Sequence, residues 1–234
     1  MIWSDKGFLL SKVNFQENSI ISKFFTEKHG KCSGIIYGAT SKKIKSYLQN
    51  GNELYLEYFS KNDNTMGYFK TEIITPSTSK FFSEKVKLSC IVSMLDLVNL
   101  LTVEGQQNKK IYNLINKFFL NFNSEDWIKN YIFIEFELLK YIGFDLNIRE
   151  FCKYEVTNNL KKYFIDSSSR KLTVPNFLVE DNYKNISNND IYYSLILISE
   201  FMKKIFLFLI ILIFQYQDLT LLITLDNYLR ILSK

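Results

Sequence analysis

Pro76 divides the chain into two apolar periodicities. Before it lie five short β-type runs, 7–13, 19–26, 31–39, 53–59 and 67–75, each closed by glycine, asparagine or polar punctuation. The fourth run, ELYLEYF, sets Leu54, Leu56 and Tyr58 on one face and Glu53, Tyr55 and Glu57 on the other, the period of a half-buried strand. Pro76 has no N–H to continue a ladder. Beyond 76–79 the apolar spacing widens to about 3.6 residues, the period of a helix. An α+β chain follows, with strands first and helices after.

Five short antiparallel strands within about 70 residues fit a small closed barrel of the OB type, with an SH3-like barrel as the structural alternative. The predicted organisation is a five-stranded OB-type β-barrel over 1–76 followed by an α-helical domain over 77–234. Helices are predicted over 79–103, with Ser79 as N-cap and a stop near Gly105, and over 109–122. A third begins after Ser124 and ends at Gly143, a natural C′ residue. In that third helix Ile128, Ile132, Phe136 and Leu139 form one stripe and Trp127, Tyr131, Ile134, Leu138 and Tyr141 another, which marks it as central and buried. Residues 145–189, with polar clusters at Asn158 and Asn159 and at 166–170, read as loop with one short strand pair. Asn188, Asn189 or Asp190 should then cap a long helix from Ile191 onward. Its apolar run, 205–214, is followed by Gln215, Gln217 and Asp218 and is half the roughly 20 residues a bilayer span requires. A buried helix packed on 125–142, and no membrane, is the expectation.

Charge is distributed unevenly. Residues 1–50 carry eight Lys and three Asp or Glu, 8 − 3 = +5, which equals the formal net charge of all 234 residues. Positive charge gathered on a small β-unit is the footprint of a polyanion-binding surface. Lys12, Lys23, Lys28, Lys31, Lys42, Lys43 and Lys45 are the candidate phosphate contacts, and Tyr37, alternating with Lys31 and Ser33, is a candidate platform for base stacking or a wall residue packed on the helices.

The same inventory argues against catalysis. His29 is the only histidine, Glu135 and Glu137 sit two apart on a helix and cannot face one another, and the eight glycines form no phosphate-binding loop. The expectation is a protein that is not an enzyme and carries no cofactor. Cys32, Cys90 and Cys152 are odd in number and widely spaced, and the first residues lead straight into a strand pattern, so a reducing cytoplasm is expected.

GFLLSKVNFQENSIISKFFTEKHGKCSGIIYGATSKK at 7–43 resembles the opening of the RecO family of bacterial recombination mediators, in which G-x-(V/L)-L precedes a polar E-x-(S/D) and then L-T-x-x-H-G. SYLQNGNELYLEYF at 46–59 is similar to the family's L-Q-P-G-N stretch, with Asn50 in place of proline. FIEFELLKYIGFDLNIREFCKYEVTN at 133–158 resembles the helix ending in G-F followed by D-L and a cysteine. The resemblance implies non-enzymatic binding and annealing of single- and double-stranded DNA in recombinational repair through the RecF pathway. It also implies loading of RecA onto DNA coated by single-strand-binding protein, with that protein and RecR as partners. The alternative is a structural scaffold whose barrel binds protein instead of nucleic acid. Many RecO relatives hold zinc with four cysteines in the segment matching 145–176, where this chain has Cys152 alone; four ligands are needed, so a degenerate site with no metal is expected. Beyond Phe206 the residues depart from the family's polar loop and arginine-containing final helix, which leaves a lineage-specific tail or a frameshifted reading.

Overall fold

The described residues of the computed structural model are 1–62, 65–144, 146–157, 160–167, 170–180 and 186–216, without the side chains of 160 and 208–216. Asn158, Asn159, Gln217, Asp218, the middle of the 166–170 cluster and the side chains of the apolar run beyond 207 lie outside the described residues. The chain forms two compact units, Met1–Leu120 and Asn121–Lys234.

The first unit is built on five strands: β1 (Ile2–Gln16), β2 (Ser19–Thr26), β3 (Gly30–Tyr37), β4 (Glu53–Phe59) and β5 (Tyr68–Thr75). They close in the order β1-β2-β3-β5-β4, the OB-type barrel expected from the sequence. Closure between β3 and β5 is parallel and rests on the Ile35 and Tyr68 pair. β1 is longer than the predicted 7–13 because its first half pairs with β4 and its second half with β2. The overlap falls at Gly7 and Phe8, and at Gly7 the packing is close, since a Cβ would lie 3.0 Å from the Phe25 carbonyl oxygen. The N-terminal half of β1 lacks a clean alternation because Asp5, a carboxylate, is one of its buried residues.

The barrel interior holds Leu9, Ile20, Phe24, Ile36, Leu54, Leu56 and Phe69, with Trp3 and Tyr58 packed against them. A six-residue helix, α1 (Lys42–Tyr47), connects β3 to β4; Ile44, Tyr47 and Leu48 turn inward while the Tyr47 hydroxyl donates to the Thr71 carbonyl at 2.8 Å. Two longer helices, α2 (Lys85–Leu101) and α3 (Lys109–Asn121), follow β5. Phe8, buried on the outer face of β1, lies 5.3 Å from Tyr112 and 5.8 Å from Phe119 of α3 between ring centroids. The helix expected to start at Ser79 instead begins at Lys85, after a 3-10 turn at Ser79–Phe81. The Ser79 hydroxyl donates to the Pro76 carbonyl and so caps no N–H, while buried Phe81 anchors the turn.

The second unit is organised on α4 (Trp127–Tyr141), whose buried residues come from both predicted stripes: Ile132 and Leu139 from one, Tyr131, Ile134 and Leu138 from the other. It ends as predicted at Gly143. Phe144 N–H donates to Leu139 O and Gly143 N–H to Lys140 O, with Gly143 at φ +96°, the Schellman arrangement. The segment read as loop with one strand pair is more regular than its sequence suggested: α5 (Ile148–Phe151), a three-stranded antiparallel sheet of β6 (Lys153–Thr157), β7 (Leu160–Asp166) and β8 (Lys171–Val174), then α6 (Phe177–Glu180). Every residue of β6 is exposed, so no apolar alternation announces it. Cross-strand ion pairs tie it in, Lys153 to Asp166 and Lys171 to Glu155, each at 2.7 Å.

The last described helix is α7 (Asn188–Tyr216), which packs on α4 and β8. Its N-cap is Ser187, one residue before the positions predicted. The Asp190 N–H donates to the Ser187 hydroxyl and the Ser187 N–H to the Asp190 carboxylate, a reciprocal capping box. Among the described residues no helix is long and apolar enough to cross a membrane.

Candidate nucleic-acid interface

The barrel register sorts the seven candidate lysines into different environments. Lys42, Lys43 and Lys45 stand exposed on α1, a helix whose own apolar residues face the core and thereby push its lysines outward. Lys12 joins them from β1: its ammonium donates to the Leu48 carbonyl just beyond α1. Burial first and the nearby Lys45 charge second hold the Lys12 pKa below the ordinary lysine value. Lys12 and Lys45 are therefore close enough to sense one another, and these four lysines gather at the α1 end of the barrel.

Lys23 is half-buried and pairs with Ser33 across β2 and β3, and Lys28 is exposed in the turn between those strands. Lys31 is a correction: it is 8% exposed and is not a surface phosphate contact. Its ammonium donates to the Asn99 and Thr102 carbonyls at the C-terminal end of α2, at 2.7 Å for the former. Those carbonyls lack helical partners and carry the negative end of the helix dipole, so the lysine serves as a C-terminal cap. Burial lowers its pKa to about 8, with Lys23 adding to the shift and Glu104 opposing it.

The hairpin around Lys31 is a structural joint throughout. Gly105 N–H donates to the Lys31 carbonyl, and a Cβ on Gly30 would lie 1.9 Å from the Gln106 carbonyl oxygen. Asp5, with a side chain 1% exposed, accepts from the Lys6 and Lys28 N–H groups at 2.9 and 2.7 Å, and His29 Nδ1 lies 3.1 Å from it. The His29 ring stacks on Trp3 with centroids 4.0 Å apart. The His-Gly-Lys stretch thus fastens the barrel to the segment after α2.

Tyr37 is 57% exposed and not a packed wall residue. It lies 5.8 Å from Tyr68 on β5, which stacks at 5.0 Å on Phe59 of β4, and Lys70 stands 5.2 Å over the Phe59 ring. Tyr68, Phe59 and Lys70 were not singled out from the sequence. The signal was the alternation of β4 and β5, which sets them outward, but their adjacency to Tyr37 depends on the β3–β5 closure.

Among the described residues no group of three or more His, Cys, Asp or Glu side chains could hold a metal ion. Cys152, whose Sγ donates to the Arg149 carbonyl at 3.6 Å, is packed against the cluster of Tyr163, Leu172, Val174 and Leu197.

The family model for the N-terminal part of recombination protein O matches residues 1–77, and that for its C-terminal part matches 83–205. The DNA repair protein RecO of Ehrlichia chaffeensis is 28% identical over 224 residues, covering 88% of this chain and 91% of the relative. That of Rickettsia canadensis is 26% identical over 194 residues, 77% of this chain and 79% of the relative. That of Wolbachia pipientis subsp. Culex pipiens is 28% identical over 163 residues, 69% of this chain but 66% of the relative. With an OB-type barrel and the helical part both matched in order, the chain belongs to the recombination protein O family of DNA repair proteins.

Proposed function

We propose that this chain is a non-enzymatic DNA-binding and strand-annealing protein of recombinational repair in the RecF pathway, acting in the cytoplasm. In this reading the barrel, 1–76, is the DNA-binding domain and 77–234 the helical domain. The observation that carries it is the exposed lysine cluster at the α1 end, Lys42, Lys43 and Lys45 with Lys12 beside them. Lys23 and Lys28 extend the positive surface along the barrel. Phosphate contacts from these side chains neutralise both strands at once and lower their mutual repulsion, so pairing is favoured without bond chemistry. Lysine ammonium groups act as point charges, and no sequence preference follows. Family membership supports the further roles: loading RecA onto DNA coated by single-strand-binding protein, with RecR and the single-strand-binding protein as partners. The testing experiment is annealing of complementary oligonucleotides by the purified chain over a salt series. Acceleration that weakens steeply as salt rises supports this reading. No acceleration and no DNA binding at low salt would favour a scaffold whose barrel binds protein.

A further inference from the structure

The ladder pairs place a continuous outward row across every strand of the barrel. Val13 pairs with Ile21, Ile21 with Ile35, Ile35 with Tyr68, Tyr68 with Phe59, and Phe59 with Ile2. On each strand the neighbouring residues Ile20, Ile36, Phe69, Tyr58 and Trp3 face the core, so the row itself faces out. α2 and α3 bury a different level of the outer surface, that of Phe8, Phe25 and Lys31. Neither α2 nor α3 covers the row: Val13 is 66%, Ile2 75% and Tyr68 36% exposed, Ile21, Ile35 and Phe59 are half-buried, and Tyr37 extends the aromatic part beside Tyr68.

We propose that the aromatic part of this row, Tyr37, Tyr68 and Phe59, is a stacking surface for the unpaired bases of single-stranded nucleic acid, working beside the lysines of α1. The inference rests on the DNA-binding reading and specifies which form of DNA the barrel selects. Three observations favour this occupant. The rings meet at centroid distances of 5.8 and 5.0 Å while Tyr37 and Tyr68 stay exposed and Phe59 is half-buried beneath Tyr68 and Lys70, so they form a surface ladder and not a core. Lys70 already stands over Phe59, and Lys23 lies outward on β2 next to Ile21. The third is continuity of charge. Glu57 lies opposite Lys70 in the register, so the strongly positive end of the surface is the Tyr37 end. There Gly38 follows, with a Cβ position 3.7 Å from Ile44 of α1, which places Tyr37 next to the helix that carries Lys42, Lys43 and Lys45. Aromatic rings beside a basic track are what sequence-tolerant single-strand binding requires.

The surface discriminates by pairing state. A base on Tyr37 or Tyr68 must be outside a duplex, whereas the α1 lysines meet phosphates of either form. Formation of base pairs withdraws the bases from the rings, so the annealed product is held by the lysines alone and leaves more readily than its single strands.

The test compares the wild-type chain with Tyr37→Ala/Tyr68→Ala for binding to a single strand, the matching duplex and an abasic strand of equal length at one salt concentration. Both side chains are exposed, so folding should be retained; Tyr37→Phe/Tyr68→Phe keeps the rings and should bind as wild type. Single-strand affinity should fall by about tenfold per ring lost, duplex affinity and the salt slope should not change, and the abasic strand should bind both proteins equally. Equal loss for strand and duplex, or no loss for either, overturns the stacking surface while leaving the DNA-binding reading intact. Concentration-dependent self-association that the double substitution abolishes, with single-strand affinity unchanged, assigns the face to a second copy and also overturns it. A wild-type chain that binds no DNA removes the underlying reading itself.

Discussion

Replacing Lys31 with methionine separates a phosphate contact from a helix cap. Methionine keeps an unbranched apolar stem in a site that is 8% exposed, but it removes the ammonium that serves the Asn99 and Thr102 carbonyls. Leaving a buried acceptor unpaired costs about 1–3 kcal/mol, and losing a cation at a helix C-terminus costs a further 0.3–1 kcal/mol or about that. Relief of the ammonium's own burial offsets part of the loss, so the net destabilisation at neutral pH should be about 2 kcal/mol. Urea unfolding should show a lower midpoint with an unchanged slope. The pH dependence supplies an independent check. The folded-state pKa, about 8, lies below the ordinary 10.5. Between those values the unfolded chain retains a proton that the folded chain has released, so the wild type gains stability as pH rises through that window. The gain is no more than about 3 kcal/mol, and the methionine variant lacks it, so the gap between the two proteins should widen from neutral to alkaline pH. Single-strand affinity at neutral pH should match wild type. A variant of undiminished stability, or a loss of DNA affinity like that of a surface lysine, would each refute the capping role, whereas a gap that narrows toward alkaline pH would refute the lowered folded-state pKa.

Three further outcomes follow from the same geometry. Lys42→Ala/Lys43→Ala/Lys45→Ala should weaken single-strand binding alike on all sequences and lower the salt slope by roughly 0.7 per lost contact, whereas the same changes at Lys109, Lys110 and Lys117 should not; equal loss in both would mean that bulk charge drives binding. Gly30→Ala places a Cβ 1.9 Å from the Gln106 carbonyl oxygen on a residue at φ +66°, so thermal unfolding should occur well below the wild-type temperature or folding should fail, and an unshifted transition would contradict the joint. Ser187→Ala removes one half of the capping box of α7 and should cost about 1 kcal/mol, with Ser187→Asp restoring most of it by denaturant titration.

The parts of the fold legible in the sequence are those where one physical signal acts alone. β4 was plain because Leu54 and Leu56 face a core while Tyr55 faces out, and the end of α4 was plain because Gly143 closes it at positive φ. The sequence was silent where two signals compete. β6 has no buried face, so charge pairs in place of apolar alternation define it. Ser79 has the chemistry of an N-cap, yet its hydroxyl is used by the Pro76 carbonyl. Among the candidate site residues, the α1 lysines could be read from the concentration of charge in residues 1–50, while the short helix that turns Ile44 and Tyr47 inward and the lysines outward was not foreseen. Lys31 could not: alternation places it outward with Ser33 and Tyr37, and only the later arrival of α2 turns that outward position into a buried one.

Lysine at two levels of one outer barrel surface therefore does two kinds of work, and the level decides which. At the level of Phe8 and Phe25 the surface is covered by helices, and a cation there is retained because it meets the carbonyl end of α2. Coverage at that level also fixes the barrel rigidly through the Asp5, His29 and Gly30 joint. At the level of Ile35 and Tyr68 neither α2 nor α3 intervenes, and the row stays partly exposed, most at Ile2 and Val13 and, in its aromatic part, at Tyr37 and Tyr68. A surface left uncovered beside a helix that directs three lysines to solvent is suited to a ligand that offers flat apolar rings and negative charge at once. A single strand has both, while a duplex presents mainly its charge.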